Sequence, residues 1–398
     1  MSQDAPQQVL VVDDSAAQRQ MLMRQLTRWG YAVTQAASGA EALAIARRTD
    51  FDIVLSDWVM PGMSGPDFCR AFRALPDRAY SYFVLLSAKS AKDDIAIGLD
   101  SGADDFLTKP VDSTELLSRL HAGERILAMQ AELRRRNADL ERIHAALHRD
   151  LAEARRLQLS LAPEPVVALG PADLVFLLRP SGLLGGDLVG WFPIAEGRIL
   201  LYAIDVSGHG VAAALMIARL SALLATRSRD QNIAFQNGHP LPVETMVARL
   251  NRILLSDQTG DLYLTLLCAE LDLATGQLRF VQAGHPHPLL LRTDGSVLPL
   301  GEGGLPVGLV PDPGHTALTL RLSPGDRLFI GSDGLIECPD RAQSDLGDDG
   351  LARLLSDQAP NRGRALADGV IAALATHAGT TDFPDDISAI VIDWHGPP

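Results

Sequence analysis

Apolar and polar positions fall into short blocks along the first 110 residues. "VLVVDD" is an apolar run closed by two aspartates. "SAAQRQMLMRQLTRWG" follows with helical spacing, a Ser15 cap and a glycine stop. "YAVTQAA" alternates like a strand, "GAEALAIARR" is helical, and "FDIVLSDW" is a buried strand ending near Asp57. "PDFCRAFRAL" (helix), "YFVLLSA" (strand), "KDDIAIGLDSG" (helix) and "DFLTKP" (short strand) complete the series. Five apolar strands separated by helices predict a doubly wound α/β sheet, all parallel, with helices on both faces.

The pattern then changes period. From Ser113 to Leu161 there is no proline, and Gly123 is the one glycine. A heptad runs through Ile126, Leu133, Leu140, Leu147, Ala154 and Leu161 at its first position. Met129, Arg136, Ile143, Asp150 and Leu157 fill its fourth. Most of this seam is apolar, which predicts a coiled-coil linker, with Arg136 and Asp150 as weak points and a homodimer as its consequence. Pro163 and Pro165 end it. Beyond Val166 the chain is rich in strands, among them "GRILLYAIDV", "LYLTLLCAELDL", "QLRFVQAG", "DRLFIGSDG" and "ISAIVIDW". Four helical stretches interrupt them, which predicts an α+β sandwich flanked by helices. The expected organisation is multidomain: 1–121, a linker over 122–165, and 166–398.

Composition narrows the function classes. The 398 residues carry a net charge of −14, divided as −4 over 1–121, +1 over 122–165 and −11 over 166–398. An acidic C-terminal half argues against nucleic-acid binding, which needs Lys and Arg for phosphates. No apolar run is long enough for a membrane span, and the first residues, "MSQDAPQQ", have no signal pattern. A cytoplasmic location is expected. Three widely spaced cysteines, Cys69, Cys268 and Cys338, indicate neither a disulfide framework nor a zinc site.

In parallel sheets ligands bind beyond the carboxyl ends of the strands. Asp13 and Asp14 end the first strand, Asp57 the third, Ser87 the fourth and Lys109 the fifth. Three convergent carboxylates need a cation, and oxygen ligands suit magnesium. A carboxylate beside that cation can accept a phosphoryl group. Lysine is scarce, three residues against 32 arginines, yet Lys109 stands where a compact point charge is wanted. Over residues 7–121 the chain resembles a response-regulator receiver domain. The resemblance implies Asp57 as phosphoacceptor, Asp13 and Asp14 as magnesium ligands, Ser87 and Lys109 as phosphoryl contacts, and Phe106 as the switch residue. It also implies a sensor histidine kinase as partner and a cis bond at Lys109-Pro110.

The second half contains "GGD" (Asp187), "AIDVSGHG" (Asp205), "IGSDGLIE" (Asp333) and "FPDDIS" (Asp385, Asp386). Each alone reads as a turn or a solvated bend; Asp294-Gly295 is read as a hairpin turn, and Asp333-Gly334 carries the same signal. The Gly-Gly-Asp triplet also opens the diguanylate cyclase signature, but Leu188 and Val189 stand where that enzyme needs an acid and an aromatic. Together the four stretches, with "QAGHPHPLLL" and "GLPVGL", resemble a PPM metal-dependent protein phosphatase of the SpoIIE branch from Leu157 to Trp394. The resemblance implies two divalent metals, manganese or magnesium. Asp187 would act partly through water, Asp205 would bridge, the Val206 carbonyl would ligate, and Asp333 and Asp385, with Asp386 beside it, would hold the second ion. Arg179 is the candidate phosphate contact. A water activated by two cations can attack phosphorus with no Ser or Cys nucleophile. The implied substrate is a phosphoserine or phosphothreonine protein, with an anti-sigma-factor antagonist as its natural form. The alternative is a catalytically silent, phosphatase-like adaptor. Relatives often carry a further aspartate where Gly190 stands, so a ligand is expected to be missing there. His209 and His285 read as turn histidines before they read as general acids.

Overall fold

The computed structural model describes residues 6–76, 78–88, 100–208, 210–225, 231–256 and 262–397. Two compact units divide the chain, Met1–Ala145 and Ala146–Pro398.

The first unit holds strands β1 (Gln8–Val12), β2 (Ala32–Ala36), β3 (Ile53–Asp57), β4 (Tyr82–Ser87) and β5 (Asp105–Thr108). They form one sheet in the order β2-β1-β3-β4-β5, every pairing parallel. Helices α1 (Ala16–Arg28), α2 (Gly39–Ala46) and α3 (Gly65–Arg73) each start from a serine, Ser15, Ser38 and Ser64, whose hydroxyl accepts an amide of the first turn. The helix read at "KDDIAIGLDSG" falls largely on 89–99, outside the described residues. The central strands are buried on both faces. Val9, Val11, Ile53, Leu55, Val84 and Leu86 face one core, and Leu10, Val12, Val54, Phe83 and Leu85 the other. Two-sided burial is why these strands read as unbroken apolar runs.

Helix α4 (Ser113–Leu159) runs for 47 residues, and the boundary between the units falls inside it. Its first turns pack on the sheet through Leu116 and Leu120. At Gly123 any Cβ would run into the Tyr82 ring, and the Tyr31 hydroxyl donates to Glu124 Oε1 at 2.6 Å. Farther along, Met129, Leu133, Leu140, Ile143, Leu147 and Leu157 are each more than half exposed. All six are seam positions of the heptad.

The second unit stacks two antiparallel sheets. The first comprises β8 (Asp187–Ala195), β9 (Arg198–Val206), β12 (Leu264–Asp272), β13 (Gln277–Ala283) and β16 (Leu318–Arg321). The second comprises β6 (Val166–Ala168), β7 (Ala172–Arg179), β14 (Leu289–Leu291), β15 (Val297–Pro299), β17 (Arg327–Gly331) and β18 (Ile387–Trp394). Their strand orders are β16-β13-β12-β9-β8 and β15-β14-β17-β18-β7-β6. A small hairpin, β10 (Phe235–Gln236) with β11 (His239–Pro240), lies apart. Leu174, Phe176, Leu201, Leu267, Phe280, Ile330, Ile390 and Trp394 fill the space between the sheets. Helices α5 (Val211–Leu223) and α6 (Val243–Ser256) cover the outer face of the first sheet. Helices α8 (Gly347–Asp357) and α9 (Gly363–Ala378) cover the second, and the short α7 (Asp333–Ile336) follows β17.

Two local readings differ from the sequence pattern. "DLVGWFPIA" is a nine-residue strand, β8, although Gly190 and Pro193 weaken its strand signature. Its place explains the tolerance: β8 is an edge strand, and the register slips between Pro193 and Ala195, where a missing amide is harmless. Asp333-Gly334 is not a hairpin turn but the start of α7. A Cβ at Gly334 would collide with the Asp386 carbonyl, so the glycine lets two acidic segments meet. Asp294-Gly295 is the turn between β14 and β15, with Gly295 at φ 85°.

Candidate active site

At the carboxyl edge of the first unit, Asp13 is fully buried, Asp14 exposed and Asp57 partly buried. Their oxygens come within 4.8 Å of one another. Lys109 Nζ reaches Asp13 Oδ2 and Asp57 Oδ1, each at 2.8 Å, and Gln18 Oε1 at 2.6 Å. Burial pushes the Asp57 carboxyl up against the opposing pull of Lys109. Ser87 ends β4 and is buried; Phe106 lies on β5, half-buried against Phe83 and its neighbours. The Lys109-Pro110 bond is cis. One ammonium against three carboxylates leaves room for a divalent cation, and the all-oxygen donor set fits magnesium.

The second unit gathers the other five aspartates from separate stretches. Asp187 opens β8 and sits directly opposite Asp205 of β9 in the ladder. Asp333 opens α7, and Asp385 and Asp386 precede β18. The β17–β18 pairing and the Gly334 approach bring those last three together. Their proximity shows in their acidity. Asp187 is buried, and its carboxyl is held well above the usual range by burial and then by Asp205. Asp205 is pushed up to about 7 by burial, then Asp333, Asp385 and Asp386. Asp333 is pushed up to about 6 by burial, then Asp385 and Glu337. Asp187 Oδ2 is buried with no hydrogen-bond partner. The cluster is set wider than the Asp13 trio: no three of these aspartates bring oxygens within 4.8 Å among the described residues. An orphaned carboxylate oxygen amid mutually repelling acids fits divalent cations held partly through water.

Asp386 differs from the rest. Its Oδ1 accepts from the Ser181 amide (2.7 Å) and hydroxyl (3.0 Å), and its Oδ2 from the Gly186 amide (2.5 Å). It fastens the loop that delivers Asp187. Gly186 is needed because its Cβ position lies 2.9 Å from the Val206 carbonyl. Arg179 ends β7 beside Ile387 and, exposed, lines a cavity of about 410 Å³ with Arg155, Ser181 and Phe383. His285 is buried, with Nδ1 3.1 Å from Thr265 Oγ1, and burial pushes it down to about 3, so it stays neutral. His209 lies outside the described residues. At Gly190 a Cβ would enter the Tyr202 phenol, so Tyr202 occupies the space an acid there would need. Gln158 of α4 is buried against Gly185 of the same loop.

The sequence model described as Stage II sporulation protein E (SpoIIE) matches residues 195–395, half of the chain. This chain belongs to the SpoIIE family. The response regulator receiver domain matches residues 9–121. The protein thus joins a receiver to a domain of a protein phosphatase family. Asp205, Asp333, Asp385 and Asp386 lie inside the SpoIIE match, while Asp187 precedes it. Response regulator PleD of Caulobacter vibrioides is 41% identical over 135 residues, 34% of this chain and 30% of that protein. The chain therefore spans about a third of that curated relative. The SiaA-PP2C domain of Pseudomonas aeruginosa shares the fold, with a TM-score of 0.52 and 22% identity over 63% of this chain and 98% of that one. The structure of the RsbU and RsbW domains of Rv1364c from Mycobacterium tuberculosis gives a TM-score of 0.48 and 25% identity, covering 60% of this chain and 64% of that one.

Proposed function

We propose that this SpoIIE-family protein is a response regulator whose output is metal-dependent dephosphorylation of a phosphoserine or phosphothreonine protein. The observation that carries the reading is the buried, unpartnered Asp187 oxygen opposite Asp205, which in turn feels the charges of Asp333, Asp385 and Asp386. Asp205, the Val206 carbonyl, Asp333 and Asp385 would hold two ions, manganese or magnesium, with Asp187 acting through water. Bound there, such cations supply a water activated at neutral pH and offset charge on the phosphoryl group. Asp386 keeps the Asp187 loop in place. Arg179, exposed at the rim, would meet the substrate phosphate.

Asp57 is the proposed phosphoacceptor for a sensor histidine kinase, with Asp13 and Asp14 holding magnesium, Ser87 and Lys109 contacting the phosphoryl group and Phe106 responding to it. The exposed α4 seam supports a parallel homodimer through which that signal reaches the output. We infer a cytoplasmic location; no helix among the described residues is long and apolar enough to cross a membrane. An anti-sigma-factor antagonist phosphorylated on serine is the proposed substrate. The test is phosphate release from such a protein with manganese, with and without beryllofluoride on Asp57. Release that depends on manganese and changes with beryllofluoride supports the reading; manganese-independent release, or none, refutes it.

A further inference from the structure

Gln158 is the penultimate residue of α4 and follows the seam residue Leu157. It is buried, whereas its neighbours Leu157 and Leu159 are exposed. Its side-chain amide meets both polar groups of one residue. Gln158 Nε2 donates to the Gly185 carbonyl at 2.6 Å, and the Gly185 amide donates to Gln158 Oε1 at 3.1 Å. Gly185 belongs to no strand, so this side chain does for it what a sheet neighbour does for a ladder residue. Gly185 can carry no side chain of its own, because its Cβ position runs into Asp386 Oδ2. The next residue, Gly186, donates to that same carboxylate oxygen, and the one after is Asp187. Two hydrogen bonds therefore tie α4 to Gly185, and the adjoining Gly186 is tied to Asp386, within the loop that carries Asp187.

We propose that Gln158 is a positioning residue that fixes the Gly185–Asp187 loop and so sets how tightly the aspartate cluster holds its metal. This rests on the reading of that cluster as a metal site. Among the described residues Gln158 hydrogen-bonds Gly185 and none of the five aspartates, so it acts through Gly185. Because it rides on α4, a rotation or withdrawal of the last helical turn reaches Gly185 first. Losing the clasp leaves two buried backbone groups unpaired, a larger loss than the bonds alone. The loop then relaxes and Asp187 is held in less defined positions. The other ligands stay in place, so metal affinity suffers more than turnover at saturating metal.

The test uses the full chain with Gln158→Met, which keeps length and helix propensity but forms neither hydrogen bond. Arg156→Gln, on the exposed face of the same turn, is the control. Two readouts are needed: hydrogen exchange of the peptide spanning 181–187 in chelated protein, and the manganese concentration for half-maximal phosphate release. Gln158→Met should speed exchange in that peptide and raise the manganese requirement at least ten-fold, with kcat at saturating manganese within about two-fold of wild type. Arg156→Gln should do neither. Unchanged exchange and an unchanged manganese requirement overturn the proposal. If the methionine variant does not fold, Gln158→Glu replaces it; it keeps the acceptor for the Gly185 amide, loses the donor, and should shift both readouts the same way. Wild-type protein with no manganese-dependent release sinks the metal-site reading, and this proposal's metal step with it. Exchange at 181–187 still reports whether the clasp exists.

Discussion

Removing metal from the aspartate cluster should invert the ordinary response of protein stability to pH. Asp205 is pushed up to about 7, chiefly by burial and then by Asp333, Asp385 and Asp386. Its unfolded value is the ordinary 3.8. Between about pH 4 and pH 7 the native state then binds more protons at this site than the unfolded state. Stability therefore falls as pH rises through that window. Ionising a carboxyl held at about 7 rather than 3.8 costs about 4 kcal/mol. Asp205→Asn removes the charge but keeps a buried polar amide, so a gain of about 2 kcal/mol at pH 8 is the expected remainder. The assay is urea unfolding of chelated wild type and Asp205→Asn at pH 5.5 and pH 8. The variant should be the more stable protein at pH 8, and the difference should shrink at pH 5.5. Manganese should stabilise the wild type at pH 8 and leave the variant nearly unmoved. An Asp205→Asn protein less stable than wild type in chelator at pH 8 would refute the claim that this cluster repels itself without a cation.

Asp386→Ala should behave in the opposite way: three donors lose their acceptor, two of them backbone amides, so chelated protein should lose about 2–4 kcal/mol in the same unfolding assay. Gly190→Asp should fail to strengthen manganese binding by calorimetry and should cost about 1–3 kcal/mol from overpacking against Tyr202, before any cost of burying the charge. Leu140→Glu combined with Ile143→Glu places charges at two exposed seam positions. It should convert the proposed dimer to a monomer by analytical ultracentrifugation without changing the circular dichroism.

The receiver fold was legible because its strands are buried on both faces and its acids stand at strand ends. Hydrophobic runs and punctuation suffice for such a sheet. The sandwich was legible for a related reason: β9, β12, β17 and β18 lie between an inner core and a helix layer, so they too read as apolar runs. Strand β8 was not legible, since Gly190 and Pro193 lower its propensity and only its edge position makes them acceptable. Asp333-Gly334 carries a turn signal because small residues serve close approach as well as tight turns. Its partner, the Asp386 carbonyl, is 52 residues away and invisible to any local window. Gln158 shows the same limit. A glutamine on a charged helix is unremarkable in sequence, and its role comes from meeting Gly185, 27 residues on. That Tyr202 fills the space beside Gly190 could not be read from the sequence either, since the two residues meet only through the β8–β9 pairing.

Asp205 and Asp333 are proposed to hold metal for phosphoryl chemistry. Phosphate release from a phosphoserine protein, measured across a manganese titration for wild type, Asp205→Asn and Asp333→Asn, addresses it most directly. Wild type should show saturable manganese-dependent release, and both variants a loss of at least 100-fold, about 2.7 kcal/mol, at every manganese concentration. Release by either variant at the wild-type rate would contradict it.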